Sequence, residues 1–280
     1  MNFSQLKTLI ASVILASLVL STPVFAQDMV EAKYADDAVQ SQFLDDEVWD
    51  DQGNLIPEGG EVASSHADND PFEGWNRFWF SFNDYLITGV INPFSTGYKA
   101  VVPERPRMWI DNFFNNLFFP IRFVNNLLQG EVEGAGVELS RFVGNTAFGL
   151  GGLGNPTEDN APVHKVGNTD EDTGLTLGHW GFGSGPYLVW PVLGSSSVRD
   201  SIGLIGDTYL SPLTYMNPWY YSLGAKGFYR LQQFSFHMDD YADMKAASLD
   251  PYLTFKDVYL NYRVNRVNEK PTEFVPIKKR

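Results

Sequence analysis

From residue 70 onward the apolar residues recur at helical rather than strand spacing. Asp70-Pro71-Phe72-Glu73 has the order of an N-cap, a first-turn proline and a capping-box acid, and predicts a helix opening there. Trp75, Phe78, Trp79, Phe80, Phe82, Tyr85 and Leu86 follow, spread over nearly every side of that helix. A surface helix in water hides one stripe of about 100°, so this one is either buried or touches lipid. After Pro106 the pairs Trp109-Ile110, Phe113-Phe114 and Leu117-Phe118 recur every four residues, with Asp111-Asn112 and Asn115-Asn116 opposite. Pro120 restarts a short helix in which Phe123-Val124 and Leu127-Leu128 alternate with Asn125-Asn126, and Gly130 stops it. Residues 131–148 carry Val132, Gly136, Leu139, Val143 and Ala147 on a face rich in small residues, which suits close helix approach. Further helices are predicted over 219–237 and 253–267, the latter ending in Arg263 and Arg266, cations that favour a helix C-terminus. Few segments alternate with period two, so the predicted fold class is mainly α, a single domain with little or no sheet.

The polar faces of the second and third helices are asparagine rather than Lys or Glu. Two readings of that pattern stand. Uncharged hydrogen-bonding residues opposite large apolar ones suit a helix between lipid and a polar cavity, with Trp109, Ile110, Phe113, Phe114, Leu117 and Phe118 on the lipid side and Asn112, Asn115, Asn116, Asn125 and Asn126 lining the cavity. The same pattern also suits an ordinary core helix with an Asn-rich solvent face. The longest uncharged stretch, 173–198, is broken by glycines and prolines, whose backbone would go unsatisfied in hydrocarbon.

Composition sharpens this picture. Only 19% of residues are charged, against about 25% in ordinary soluble domains, while 44% are hydrophobic and 15% aromatic, which leaves part of the surface in apolar surroundings. Thirty-four acidic residues against twenty basic ones give a net charge of -14, which argues against a nucleic-acid partner, since the phosphate backbone demands a basic face. Thirteen of the acids lie between residues 27 and 70 with Lys33 alone against them. Such a block reads as a solvated, disordered extension, 27–69, rather than part of the core. A calcium loop around Asp50-Asp51-Gln52-Gly53 fails, because Val48 falls where the first carboxylate is required. There is no cysteine, hence no disulfide, thiolate metal site, cysteine nucleophile or thioether-linked lipid within these residues.

Ahead of the acidic block, Lys7 is the only charge in residues 1–26, an apolar run follows, and Val24-Phe25-Ala26 places small residues for a cut between Ala26 and Gln27. This is the layout of a secretory signal peptide; a retained anchor is disfavoured because the run is shorter than the ~20 residues of a bilayer span. The organisation is therefore signal 1–26, acidic extension 27–69, helical domain 70–267 and tail 268–280.

Gly149-Leu150-Gly151-Gly152-Leu153-Gly154 satisfies G-x-G-x-x-G, but a helix precedes it and Asn155-Pro156 follows, so it reads as a helix-ending loop rather than a dinucleotide site. His164 and His179 have no metal-ligand spacing. The Ser195-Ser196-Ser197 hydroxyls read as caps for a helix opening near Val198-Arg199-Asp200. Convergence of His179, a serine and Asp200 is the alternative, a secreted periplasmic serine hydrolase acting on lipids.

Several ordered motifs carry a resemblance. They are Asp70-Pro71-Phe72-Glu73-Gly74-Trp75-Asn76-Arg77, then Asn126-Leu127-Leu128-Gln129-Gly130, then a Gly-rich run from Thr176 through Gly178, His179, Gly181, Gly183, Gly185, Pro186 and Tyr187 to Pro191. Gly194, Arg199-Asp200, Asp250-Pro251-Tyr252 and 259–263 complete the series. Across about 70–263 the chain resembles the MlaA (VacJ) family. The resemblance implies a ring of mostly horizontal amphipathic helices in the membrane plane, on the periplasmic face of the outer membrane, around an amphipathic channel. It also implies phospholipid as cargo, a trimeric porin and a periplasmic MlaC-like carrier as partners, and no cofactor or bond-breaking chemistry. The glycines of the signature run are expected to pack tightly or turn sharply, and His179 to satisfy a buried hydrogen bond. Two departures stand out: the lipobox cysteine of usual members is absent, and the acidic extension lies outside the pattern.

Overall fold

The computed structural model describes residues 70–159 and 169–268; the cut site and most of the acidic block lie outside them. In chain order the elements are α1 (Glu73–Leu86), a π turn (Ile87–Ile91), α2 (Asn92–Val101), α3 (Glu104–Leu117), α4 (Phe119–Gln129), α5 (Val132–Phe148) and α6 (Pro156–Asp159). Then come α7 (Thr173–His179), strands β1 (Tyr187–Trp190) and β2 (Gly194–Ser197), α8 (Val198–Leu210), a 3-10 turn (Pro212–Tyr215), α9 (Trp219–Ala247) and α10 (Pro251–Asn268). The fold is mainly α, one domain, with an antiparallel hairpin pairing Tyr187 with Ser197 and Trp190 with Gly194 as its sheet among the described residues.

Local chemistry explains most boundaries. The π turn lies just ahead of Pro93, which has no N–H to continue the ladder. Pro120 sits in the first turn of α4, and Gly130, at φ 81°, closes it with Gly130 N–H donating to the Leu127 carbonyl and Glu131 N–H to Asn126. Asp172 caps α7 by accepting from Leu175 N–H at 2.7 Å, and Ser197 caps α8 by accepting from Asp200 N–H at 3.1 Å. Gly149 to Gly154 forms a turn-rich loop with Leu150, Gly151 and Gly152 at positive φ.

The start of α1 departs from a simple capping box. Glu73 pairs with Arg77 at 2.7 Å instead of reaching back, and Asp70 accepts from Phe72 N–H at 3.1 Å, from the Asn76 amide at 3.0 Å and from Tyr252 of α10. Arg77 also bridges to Asp250 at 2.9 Å and lies over the Tyr252 ring. The first and last motifs of the chain thus lock together. Asn76 and Asn83, two turns apart on α1, clamp the hairpin: their amides donate to Tyr187 and Trp190 carbonyls at 3.0 and 2.8 Å and accept from Val189 and Val192 N–H.

Two apolar clusters hold the helices. One joins α1, β1, α9 and α10 through Phe80, Val189, Phe234, Tyr241, Phe255 and Tyr259. The other joins α3, α4, the 3-10 turn and α9 through Phe114, Phe118, Ile121, Leu213 and Tyr229.

Candidate functional site

Several helices are built inside out. On α8 the buried face is Arg199, Gly203, Asp207 and Thr208, whereas Val198, Ile202, Ile205 and Tyr209 face outward, Ile205 at 61% exposure. On α5 Glu138, Arg141 and Asn145 are buried and Val132, Leu139, Val143 and Phe148 exposed, Phe148 at 82%. On α1 Asn76 and Asn83 turn inward while Trp75, Phe78, Phe82 and Tyr85 turn outward. Water drives the opposite arrangement. The first half of α9 follows suit, with Trp219, Tyr220 and Tyr221 exposed, whereas its second half exposes Asp239 and Asp243.

The inward polar groups meet in a charged junction of α4, α7, α8 and α10. Arg263 donates to both oxygens of Asp172, at 2.5 and 2.9 Å, and to Asp200 at 2.9 Å. Burial pushes the Asp200 carboxyl up, but Arg263 and Arg199, with the Tyr259 hydroxyl, overcome it and hold it well below the usual carboxylate range. Asp207 accepts from Thr173 N–H at 2.9 Å, Thr173 Oγ1 at 2.6 Å and the Asn125 amide at 3.3 Å. Burial, aided by the charge of Asp172, pushes its carboxyl up to about 7. Glu171, beside Arg266 and Gln129, is likewise raised by burial to about 7. Helices α7 and α8 touch at Gly174 and Gly203, where a Cβ on Gly203 would lie 2.3 Å from the Gly174 nitrogen. A cleft of about 40 Å³ opens beside this junction, with Trp190, Leu193 and Leu204 on its apolar side and Ser196, Arg230 and Arg263 among its polar lining. Nearby in sequence from the exposed start of α9, Lys226 is only 6% exposed and donates to Thr214 Oγ1 at 3.4 Å, with its pKa lowered by burial.

The residues singled out from the sequence fall in different places. Of the apolar stripe, Trp109 and Phe113 are exposed and Ile110 and Leu117 half-buried, but Phe114 and Phe118 pack on Tyr229, so the pairs are split between exterior and core. Asn112 and Asn115 are half-buried, Asn116 is buried against Thr146, and Asn125 and Asn126 are 0% exposed. The last two therefore face no open channel here. Their amides donate to carbonyls one turn back and to Asp207 and Thr169, tying α4 into the charged junction. Gly178 is pressed against Arg199 and Val267, Gly181 and Gly185 turn at φ 91° and 67°, and Gly183 has open space. Pro186 is exposed, and its carbonyl accepts from Val198 N–H; Tyr187 is buried. His179 is exposed at the end of α7, which corrects the expectation of a buried hydrogen bond. Ser195 shares a 2.5 Å hydrogen bond with Tyr187, Asp200 is filled by Arg199, Arg263, Tyr259 and Ser197, and among the described residues no hydrogen bond joins either to His179. The hydrolase constellation does not assemble. Lys226 and Arg230 are legible in the sequence only as residues of the helix predicted over 219–237, and Asp207 is missed, although an aspartate following Gly206 on an apolar helix is a visible signal.

Comparison with known proteins agrees with this architecture. Residues 68–266 match the family model "MlaA lipoprotein". The intermembrane phospholipid transport system lipoprotein MlaA of Escherichia coli (strain K12) is 31% identical over 225 residues, covering 75% of this chain and 86% of that protein. The Haemophilus influenzae protein of the same name is 32% identical over 206 residues, covering 70% and 80%. A solved structure described as "Structural basis for maintenance of bacterial outer membrane lipid asymmetry" superposes with a TM-score of 0.63 at 31% identity, covering 71% of this chain and all of the other. With motifs, fold and coverage in accord, the chain belongs to the MlaA family.

Proposed function

We propose that the protein lies in the outer membrane, takes mislocalised phospholipid from its outer leaflet and passes it to a periplasmic carrier of the MlaC kind, maintaining lipid asymmetry without breaking a bond. The observation that carries this reading is the inverted polarity of α1, α5 and α8, whose apolar faces are stable only in an apolar surrounding. Among the described residues no helix is long and apolar enough to cross a membrane, which suits helices lying along it. The charged junction keeps the inward polar groups satisfied by one another, apart from the outward apolar faces. The family relationship supports phospholipid as cargo, and the earlier resemblance supports a trimeric porin as scaffold and the soluble carrier as recipient. Expression of the full chain in a Gram-negative strain lacking its own MlaA tests this reading. Outer-leaflet phospholipid, read with a membrane-impermeant amine label, should fall to the wild-type level, with no lysophospholipid or free fatty acid released. Lysophospholipid that disappears in Ser195→Ala would instead establish a hydrolase.

A further inference from the structure

In the charged junction each cation meets a carboxylate, but the start of α9 holds a cation that has none among the described residues. Lys226 is 6% exposed, and its one hydrogen bond there is a long one, 3.4 Å to Thr214 Oγ1. Burial alone acts on its pKa, downward, and no neighbouring charge offsets it. An ammonium carries three donors, and leaving them unmet in a buried place is costly. Ser211, 1% exposed, opens the 3-10 turn that carries Thr214, and its hydroxyl has no partner among the described residues. Helical side chains lean toward the helix N-terminus, which carries Lys226 toward the first turn of α9, two turns back. Its contact with Thr214, ahead of α9 in the chain, agrees with that direction. The first turn follows Pro218 without a side-chain cap, so its N–H groups and the helix dipole favour an anion. Gly224 and Gly227, on either side of Lys226 in the chain, have open space where side chains would stand. Around this end of α9, Tyr215, Trp219, Tyr220 and Tyr221 expose 53–65% of their surface.

We propose that the start of α9 is a lipid-phosphate site, in which the phosphodiester of a phospholipid accepts from the Lys226 ammonium and the first-turn N–H groups, beside the rim of Tyr215, Trp219, Tyr220 and Tyr221. The inference rests on the lipid-handling reading above and adds to it the headgroup atoms recognised and the groups that recognise them. An ammonium and backbone N–H groups only donate, and a phosphodiester offers acceptor oxygens and the missing negative charge together. The rim selects the lipid-borne form of that anion, because Trp and Tyr rings settle at the level of lipid headgroups, with their apolar bodies toward the acyl region.

The test uses the full protein in dodecyl maltoside and follows thermal unfolding against three probes: dihexanoyl phosphatidylglycerol, dihexanoyl glycerol and inorganic phosphate. Bound probe raises the melting temperature by mass action. The phospholipid should do so saturably, with a midpoint at least tenfold below those of the phosphate-free lipid and of inorganic phosphate. Lys226→Met should weaken the phospholipid about tenfold, to the level of dihexanoyl glycerol, with an unchanged circular dichroism spectrum, and Lys226→Arg should keep most of the affinity. A second measurement needs no loss-of-charge variant: in wild-type protein labelled with 15N-lysine, the Lys226 Nζ resonance, assigned by its loss in Lys226→Arg, should shift with the phospholipid and not with dihexanoyl glycerol. Lys226→Met binding like wild type, or an Nζ resonance indifferent to the phospholipid, overturns the site. Inorganic phosphate binding as tightly as the lipid makes it a free-phosphate site, and dihexanoyl glycerol binding as tightly reduces it to apolar contact; both overturn the proposal. A wild-type protein that binds no short-chain phospholipid and carries none extractable after purification overturns the lipid-handling reading itself, an outcome distinct from a Lys226→Met protein that still binds.

Discussion

Asp207 sits where burial and the neighbouring Asp172 both disfavour its charge, so its folded-state pKa is raised from 3.8 to about 7. The native protein therefore holds a proton that the unfolded chain releases above about pH 4, and the sign of the linkage follows: stability falls as pH rises from about 4 to about 7. Asp200 works in the opposite sense, its stabilisation being lost only in strong acid. Asp207→Asn keeps an oxygen for Thr173 and Asn125 while removing the titration. Thermal unfolding of the detergent-solubilised variant should show a flatter profile between pH 5 and 8, and a gain in melting temperature over wild type at pH 8; an unchanged profile would place the titration elsewhere. Gly203 gives a second residue-level prediction. A methyl there meets backbone rather than a flexible side chain, so Gly203→Ala must push α7 from α8 and should cost at least about 2 kcal/mol in denaturant unfolding. None of this was legible beforehand. The sequence displays Asp172, Asp200, Asp207 and Arg263 far apart, and only the fold shows that one guanidinium serves two of those carboxylates.

At the scale of elements, the existence of helices was readable and their orientation was not. Periodicity predicted α3, α4, α5, α9 and α10, the stop at Gly130 and the cap from the serine run, because those depend on local chemistry alone. It placed the end of the long helix at 237, yet α9 continues to Ala247, since Asp239, Asp240 and Asp243 look like an ending, but Asp239 and Asp243 are simply its polar, exposed side and the half-buried Asp240 lies beside His237 one turn back. The deeper difficulty is that amphipathicity marks a stripe without saying which way it points. In water Asn125 and Asn126 would face out; in an apolar surrounding the same helix turns them in and leaves Leu127 and Leu128 exposed. Phe113 and Phe114 show why doublets mislead: neighbours lie about 100° apart on a helix, so one reaches the core and the other the exterior. The orientation is open to direct challenge on α8. Ile205→Asp changes an exposed side chain that touches no core cluster, so a protein surrounded by water should tolerate it within about 0.5 kcal/mol. Surrounded by lipid, the carboxylate loses its hydration without a partner. The variant should then leave the outer-membrane fraction in large part and raise outer-leaflet phospholipid, whereas wild-type fractionation would mean that α8 faces water.

For the molecule as a whole the question is what anchors it. Without a cysteine among its 280 residues, the thioether-linked lipid of a usual lipoprotein has no attachment point there. The exterior supplies an alternative. Trp75, Phe78, Phe82 and Tyr85 on α1, Leu139, Val143 and Phe148 on α5, and Ile202, Ile205 and Tyr209 on α8 each expose 42–82% of their surface. Burying these ten exposed portions at about 1 kcal/mol each contributes a gross ~10 kcal/mol before ordering costs, whereas one acyl chain of the myristoyl type gives only marginal, reversible binding. The proposed anchoring also implies a direction, because α9 changes from exposed aromatics at Trp219–Tyr221 to exposed Asp239 and Asp243, as a helix leaving lipid for water would. The protein should consequently be recovered from the outer membrane with Gln27 as its first residue, an intact mass matching the bare polypeptide, and resistance to high-salt washing, since salt screens ionic but not apolar attachment. Removing 28–68 behind the intact signal takes away twelve acidic residues and should change neither outcome, because the exposed apolar faces of α1, α5 and α8 proposed to meet lipid are left intact. A mass increment of a diacylglyceryl group, or release of the shortened protein into the soluble periplasm, would transfer the anchoring role from the helices to the N-terminal region.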